Sequence, residues 1–537
     1  MPVVAVKNGT RLFVHNQRFG VTPPTFCHLQ QLVAIALLDF LVRFEPLQRD
    51  QTDVILHPLH AVATLQCPIM LFHTQRPIPC RGEAVDEDQT MAMGLEADLD
   101  GIPCPPSIQR WLGTLSTDLL AILQRFAKAG HGVWLVGGCV RDAYLGHRAT
   151  DIDLCTSCPP EQTMTLFGEQ AVPTGIDFGT ITLKGRETQY EVTTLRTESL
   201  YRDGRRPDQV MWGTSLKEDL SRRDFTINSM AVDVARGLLY DPFQGDLDIK
   251  GRCIRAVGDA QVRCEEDALR ILRAYRFMNM DEGPLWTMDS NLSEAVKLHQ
   301  PRLRMVAIER RWMEMSKILA AKRPGGVLLR MNEDGALRHV FEEEHHLRNG
   351  PISMLDEPPL DFLSLHERIA LLMIEWDTKS VVRQLKRLKV PNALLRHTAM
   401  FHERLAFLPE TNQANLRVFD HVLGDSAKPH LAIRSCLSTT DVYIHGNLQE
   451  CQSLEDVLTN WLSLPPRTTP ETCLVDGHWI MARSGIGQGL RLGRLKSWLH
   501  RIQIEEDLTT QAQIETVLSR IPFNHGDHEH WPQVSFP

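Results

Sequence analysis

The sequence predicts an α+β protein: a small mixed-sheet head followed by an all-helical neck, body and tail. Three observations carry this reading. Short apolar strands alternate with helical stretches between about residues 111 and 195. Past about residue 260 apolar residues recur at helical spacing and strand signals fade. At 537 residues the chain is long enough to bury more than one core.

Taken in order, residues 1–115 read as a separate N-terminal extension without an assignable function. It holds an apolar helical stretch over Leu29–Val42, an acidic Met/Gly-rich run over Glu83–Asp100 and a linker at Ile102-Pro-Cys-Pro-Pro106. The head is placed at 116–252, after helical periodicity over Trp111–Lys128 that Gly130 and Gly132 stop. Its expected elements are strands at Val133–Val136, Asp151–Cys155, Thr180–Leu183 and Gln189–Leu195, with a helix over Val140–Leu145. The neck (253–347), body (348–445) and tail (446–537) follow, with helices expected at Asp267–Met278, Met305–Leu319, Ser364–Ile374, Ser380–Leu388 and Gly493–Leu508.

A net charge of -9 removes any global positive field, so an RNA partner has to be met by local basic patches. Lys379–Arg396 and Arg483–Arg501 are the candidate patches; most such faces are merely solvated. Twelve cysteines lie without a disulfide or zinc framework, and Cys155 and Cys158 are read as small buried fillers. The apolar run near Leu32–Phe44 is interrupted by Asp39 and Arg43 and is too short to span a membrane. No signal-peptide pattern opens the chain, and no serine precedes Ser107, which argues against a serine-rich transit segment. A cytoplasmic protein with no membrane partner is expected. His525, His528 and His530 are read as part of a polar, disordered tail.

The chemistry concentrates in the head. Val133-Trp-Leu-Val is a buried strand that runs into Gly137-Gly138 and a helix, an arrangement whose outward N–H groups suit a triphosphate. Arg141, one turn into that helix, can add charge-assisted bonds to phosphate. Asp151 and Asp153 are i and i+2 on an expected strand, so their carboxylates share a face and call for a hard cation such as Mg²⁺ between them. Glu191, on the strand expected to pair nearby, is a third carboxylate; three can hold two metals for phosphoryl transfer. In Glu266-Asp-Ala-Leu-Arg270, Asp267 and Arg270 are i and i+3 on an expected helix. A carboxylate accepts and a guanidinium donates, which matches the Watson–Crick edges of cytosine and adenine and mismatches uracil and guanine. On residues alone, an i,i+3 surface salt bridge explains the same pair.

The string Leu135-Val-Gly-Gly-Cys-Val-Arg-Asp-Ala-Tyr-Leu-Gly146 followed by Asp151-Ile-Asp-Leu154 resembles the signature of class II tRNA nucleotidyltransferases and bacterial poly(A) polymerases. The likeness continues through Thr174–Thr182, Glu191–Arg196, Asp203–Pro207, Asp219–Asn228 and Glu266–Phe277, and more weakly through Glu309-Arg310, Leu385–Pro391 and Asp476-Gly-His-Trp479. It leaves out roughly the first 110 residues. The resemblance implies a nucleotidyltransferase head with a catalytic set of Asp151, Asp153 and Glu191, and with metal on Asp151 and Asp153. It implies nucleotide contacts from Gly137, Gly138, Arg141, Arg223, Asp267, Arg270, Arg273 and Arg276, and favours base reading by Asp267 and Arg270 over the salt bridge. Arg222-Arg223-Asp224 is similar to the motif that reads ribose and phosphates, and Ser229 stands where the family usually has Ala. Arg202-Asp-Gly-Arg-Arg206 resembles the flexible-loop motif required for A addition, which CC-only relatives lack. The expected activity is template-independent addition of CCA to tRNA from CTP and ATP. An A-adding enzyme or a poly(A) polymerase is the alternative, and a non-catalytic RNA-binding relative is the reading from a different class.

Overall fold

The computed structural model describes residues 92–537 except 150, 187, 202–206, 342–345, 439, 446–453 and 525–526, with 197–201 and 207–211 described by their backbone alone. The helical stretch expected at Leu29–Val42, the loop Arg202–Arg206 and His525 lie outside the described residues. Two units are present, one over 92–406 with 441–445 and another over 407–440 with 454–537. The division at 406/407 falls inside the segment 348–445 that the sequence treats as one body.

In the first unit the head strands are β1 (Ile102–Pro103), β2 (Val133–Val136), β3 (Asp153–Thr156), β4 (Ala171–Gly175), β5 (Thr180–Lys184), β6 (Gln189–Thr194), β7 (Arg196–Tyr201), β8 (Pro207–Trp212), β9 (Ala231–Asp233) and β10 (Leu238–Tyr240). Eight of them make one sheet in the order β1-β10-β9-β2-β3-β6-β5-β4, while β7 and β8 pair separately as an antiparallel ribbon. Within the sheet β3 and β6 run parallel and the other neighbours antiparallel, which makes it mixed. The β-branched and aromatic run of β2 fits a central strand covered on both faces. Trp134, Leu135 and Val136 are all buried. Trp134 and Val136 pack with Cys155, Leu195, Leu216, Leu220, Ala231 and Tyr240 in a core on one face. Burying side chains of this size contributes about 1.5–3 kcal/mol each relative to exposure.

The head starts earlier than residue 116. Ile102 and Pro103 of β1 pair with Leu239 and Leu238 at the sheet edge, and Pro106 begins the helix Pro106–Leu112, so the segment read as a linker opens as a strand and closes as a helix. Asp98 accepts from the backbone N–H of Leu216 at 2.8 Å and from the Ser215 hydroxyl, capping the helix Leu216–Ser221. Acidic composition hid this role, because a capping aspartate is set by what it meets rather than by its neighbours in sequence.

Past the head, the helices Ala260–Glu266, Leu269–Phe277, Ile308–Ala320, Leu365–Leu372 and Thr378–Arg387 replace the sheet. Ser364 and Glu367 form a reciprocal capping box that fixes the start of one of them. In the second unit Leu495, Leu499 and Ile502 of the helix Leu490–Glu506 pack with Ile514, Val517, Phe523 and Trp531. Trp531 is 7% exposed and lies against Trp498, with ring centroids 5.6 Å apart. The C-terminal segment is thus docked by an aromatic anchor, which corrects the expectation of a polar disordered tail.

Candidate active site

β2 ends at the glycine turn. Gly137 has φ of +78°, a left-handed conformation in which a side chain is strained. A Cβ there would also lie 3.0 Å from Arg223 Nη1 and 3.9 Å from Asp153 Oδ2. The helix Gly138–Tyr144 begins at the next residue, so turn, guanidinium and carboxylate meet at one strand end.

β3 begins only at Asp153, and Asp151 stands in the bend before it. The i,i+2 strand argument therefore does not describe Asp151, whose placement comes from the bend. Glu191 is where the sequence implied: in the parallel pairing of β3 with β6, Asp153 and Glu191 are register partners, each residue open to solvent on one side while the Asp153 carboxyl points in toward Arg223 and the glycine turn. Burial at the strand end raises the Asp153 carboxyl, the Glu191 charge raises it further and Asp151 adds a smaller push; Arg223 opposes them. The mutual repulsion of three acids around one strand end is what a bound cation would relieve, and an all-oxygen donor set suits a hard ion. Among the described residues, no three acidic, His or Cys side chains close into a finished metal-holding group.

Behind this edge lies a fully buried carboxylate to which motif order alone gives no role. Asp219, 0% exposed, accepts from Arg222 Nε at 3.0 Å and Arg223 Nη2 at 3.2 Å. Burial alone would raise its carboxyl; the two guanidiniums and their hydrogen bonds outweigh burial and hold it below the ordinary carboxylate range. Two residues after Asp219's partners, Phe225 starts a buried turn in which Ser229 donates to Phe225 O at 3.0 Å. That back-bond satisfies the hydroxyl that stands in place of Ala.

Asp267 and Arg270 do not share a continuous helix. The helix Ala260–Glu266 ends at Asp267, whose backbone is extended, and Leu269–Phe277 restarts with the Asp267 side chain accepting from Leu269 N at 3.0 Å. The break is local capping chemistry: a short carboxylate satisfies the first free N–H of the new helix. Nor do the two side chains pair with each other. Asp267 Oδ2 accepts from Arg310 Nη2 at 2.8 Å, and Arg270 Nη1 donates to Glu266 Oε2 at 2.7 Å and to Arg263 O at 2.9 Å. The i,i+3 salt bridge is absent, and both groups are held by other partners.

Arg273 and Arg276 continue along the helix as expected. Arg273 Nε donates to Asp224 Oδ2 at 2.7 Å, joining the neck helix to the Arg222-Arg223-Asp224 segment of the head. Arg276 Nε donates to Glu314 Oε2 at 2.7 Å, and Glu314 is 1% exposed. Arg141 Nη1 donates to Asn228 Oδ1 at 2.6 Å, which draws the glycine-turn helix to the same region. Glu314 and Arg310 were not singled out as site residues; their placement one helical turn apart on Ile308–Ala320 is legible only once that helix is docked.

Two family models match the chain. One, the poly(A) polymerase head domain, covers residues 133–255. The other, a probable RNA and SrmB-binding site of polymerase A, covers 287–347. The CCA-adding enzyme of Streptococcus pyogenes serotype M2 is 37% identical over 282 residues, 52% of this chain and 68% of that protein. The chain belongs to the CCA-adding enzyme family. The crystal structure of the Bacillus stearothermophilus CCA-adding enzyme in complex with CTP is 26% identical with a TM-score of 0.60, over 77% of this chain and 97% of that one. The Thermotoga maritima CCA-adding enzyme complexed with tRNA has the same fold, at 20% identity and a TM-score of 0.52, over 77% and 98% of the two chains. The CCA-adding family also accounts for the architecture above, a mixed-sheet head leading into helices.

Proposed function

We propose that this chain extends tRNA 3′ ends by CCA, using CTP and ATP without a nucleic-acid template and releasing pyrophosphate at each step. One observation carries the reading. The strand-end carboxylates, the Gly137 turn and the arginines of the Leu269–Phe277 helix are tied together in one unit through Arg223, Arg273 and Arg141. A triphosphate at the turn would meet the backbone N–H of Gly138 together with Arg141 and Arg223, whereas the Gly137 N–H donates to Met230 O at 3.3 Å and Gly137 would serve by the close approach its missing Cβ allows.

The residues divide the work. Asp151, Asp153 and Glu191 would hold two divalent cations, for which we propose Mg²⁺. Bound there, one would acidify the attacking 3′-hydroxyl and the other would neutralise the departing pyrophosphate. The hydroxyl oxygen forms a bond to the α-phosphorus as the bond to pyrophosphate breaks, and the chain's part is to align the two. Asp267 would accept from the amino group of cytosine or adenine, and Arg270 would donate to the adjacent ring nitrogen. Arg270 uses only Nη1 in the two bonds described above, so its remaining N–H groups face no conflict in that role. Arg310 Nη2 donates to Asp267 Oδ2 from the Ile308–Ala320 helix, which would hold the carboxylate in place for the base. Arg273 and Arg276 would contact the nucleotide from the same helix.

The domains follow the roles: a catalytic head, a neck that selects the nucleotide, and a helical body and tail that bind tRNA. Residues 1–91 are left without a role. Among the described residues no helix is long and apolar enough to cross a membrane. Twelve cysteines without a framework suit a reducing compartment, and we place the reaction in the cytoplasm.

The test uses the purified chain, labelled CTP or ATP, and tRNA transcripts ending at the discriminator base, at C or at CC. Full CCA addition predicts CTP incorporation on the first two substrates and ATP incorporation on the third. ATP incorporation on the CC-ending transcript alone would make it an A-adding enzyme, and a long ATP ladder a poly(A) polymerase. No incorporation of either nucleotide, with tRNA still bound, would leave only RNA binding.

A further inference from the structure

We propose that Phe277 is a positioning residue of the nucleotide site, its ring being the shared platform that sets the spacing of Arg141, Arg273 and Arg276. This rests on the reading of those three arginines as nucleotide contacts.

The three guanidiniums come from two distant segments yet surround one ring. The Cζ atoms of Arg276, Arg141 and Arg273 lie 4.1, 5.1 and 5.5 Å from the Phe277 centroid. Each arginine has an acidic or amide partner at its far side: Asp142 and Asn228 for Arg141, Asp224 for Arg273 and Glu314 for Arg276. Those partners connect the guanidiniums edge to edge: Asn228 Nδ2 donates to Asp224 Oδ1 at 3.1 Å, and Glu314, bound to Arg276, also lies 3.9 Å from Arg273. The ring is the one group that all three approach together. An aromatic face attracts cations within about 6 Å, and a single ring gives all three a common reference point.

The ring itself is not free to turn away. Phe277 is 3% exposed and packs edge-to-face on Phe225, with centroids 5.6 Å apart at 80°. Phe225 is in turn 1% exposed, and its backbone N–H donates to Asp224 Oδ1 at 2.8 Å, the same carboxylate that holds Arg273. The head and the neck helix are therefore locked around one aromatic pair. Leucine at this position would keep the contact apolar but offer no π face to the three cations.

Graded ring fluorination at position 277 separates the two roles, since it keeps the shape of the ring while draining electron density from its face. CTP binding to the full-length protein in Mg²⁺ is measured by equilibrium dialysis, alongside kcat, KM and the thermal midpoint. The expected result is a stepwise rise in the Kd and KM for CTP, reaching roughly tenfold at three fluorines, with kcat within twofold and the midpoint nearly constant. Phe277→Leu should weaken CTP to a similar extent. A flat binding series, or Phe277→Leu binding CTP as the unmodified protein does, would overturn the role of the ring. Because binding is read apart from transfer, an unmodified protein that binds CTP but transfers nothing would count against the proposed function, while the fluorination series would still decide the role of Phe277.

Discussion

The strand-end carboxylates and the helix-start pair Asp267/Arg270 are positioned by different kinds of force. Asp153 faces Glu191 because β3 and β6 are in register, and backbone hydrogen bonds on both strands would have to break before that could change. Asp267 and Arg270 sit at a break between two helices, each held by an ion pair, to Arg310 and to Glu266, beside one local backbone hydrogen bond, to Leu269 N and to Arg263 O. All four of these side chains are only partly exposed, between 13% and 29%. The contrast fits the division of labour proposed above. Chemistry that is the same at every cycle is placed on a rigid sheet, whereas recognition that must accept two different bases is placed where side chains can exchange partners at small cost.

The largest expected effect lies at the rigid site. Asp153→Asn should lower the rate of CTP incorporation by at least about 10³-fold, the scale lost when charge stabilisation of a transition state is removed. The same substitution removes a charge that Glu191 and Asp151 repel, so its thermal midpoint should match or exceed that of the parent chain. A variant with normal transfer, or one that loses transfer only by unfolding, would break the assignment of a functional rather than structural acid.

Next comes the anchor beneath it. Asp219→Asn leaves Arg222 and Arg223 without their buried counter-charge, and should cost about 3–5 kcal/mol in urea unfolding. The pH dependence has a definite sign. The Asp219 carboxyl is held below its ordinary value in the folded protein, so the stability it contributes is full above about pH 4, the unfolded carboxylate value, and is lost as pH falls through the lower folded value. Urea midpoints collected between pH 6 and pH 3 should show this acid loss in the parent and a shallower one in Asp219→Asn.

A smaller effect, and one on choice rather than rate, is expected at the exchangeable site. Arg270→Ala should reduce discrimination of CTP over UTP by roughly 10²-fold, because the mispaired donor that rejects uracil is gone. Competition assays with the two nucleotides on a transcript ending at the discriminator base read this directly. Unchanged discrimination would place base selection elsewhere. The smallest effect belongs next door: Glu265, paired with Arg302 at an exposed 3.1 Å contact, can become Gln with a change below about 1 kcal/mol and no change in selectivity. Sequence adjacency to Asp267 would then be shown to carry no function by itself.

Much of this was legible in the sequence, for physical reasons that can be named. The β2 strand, the glycine turn and the helix after it follow from local rules, since an apolar β-branched run, a Gly-Gly pair and a restart of helical periodicity are all short-range signals. Asp153, Glu191, Arg141, Arg273 and Arg276 were identifiable because their motifs lie in order along the chain. The break at Asp267 was not foreseen, because 3.6-residue periodicity passes through it undisturbed while a side-chain cap ends one helix and begins another. The edge strand Ile102–Pro103 was missed because proline-rich composition signals a linker unless a partner strand is known. The docked C-terminus was missed because one tryptophan outweighs a polar neighbourhood once a groove exists to receive it.

By itself, then, the sequence determined the fold class, the family and the residues of the glycine turn and carboxylates, all of which depend on contacts within a few residues or on ordered motifs. Only the tertiary structure decided which ionic partner each of those residues has. Asp219 under Arg222 and Arg223, Arg310 on Asp267, Glu314 on Arg276 and Phe277 among three arginines are each set by how helices and sheet pack. Coulomb and cation–π interactions act through space over a few ångströms, and no spacing along the chain encodes that distance.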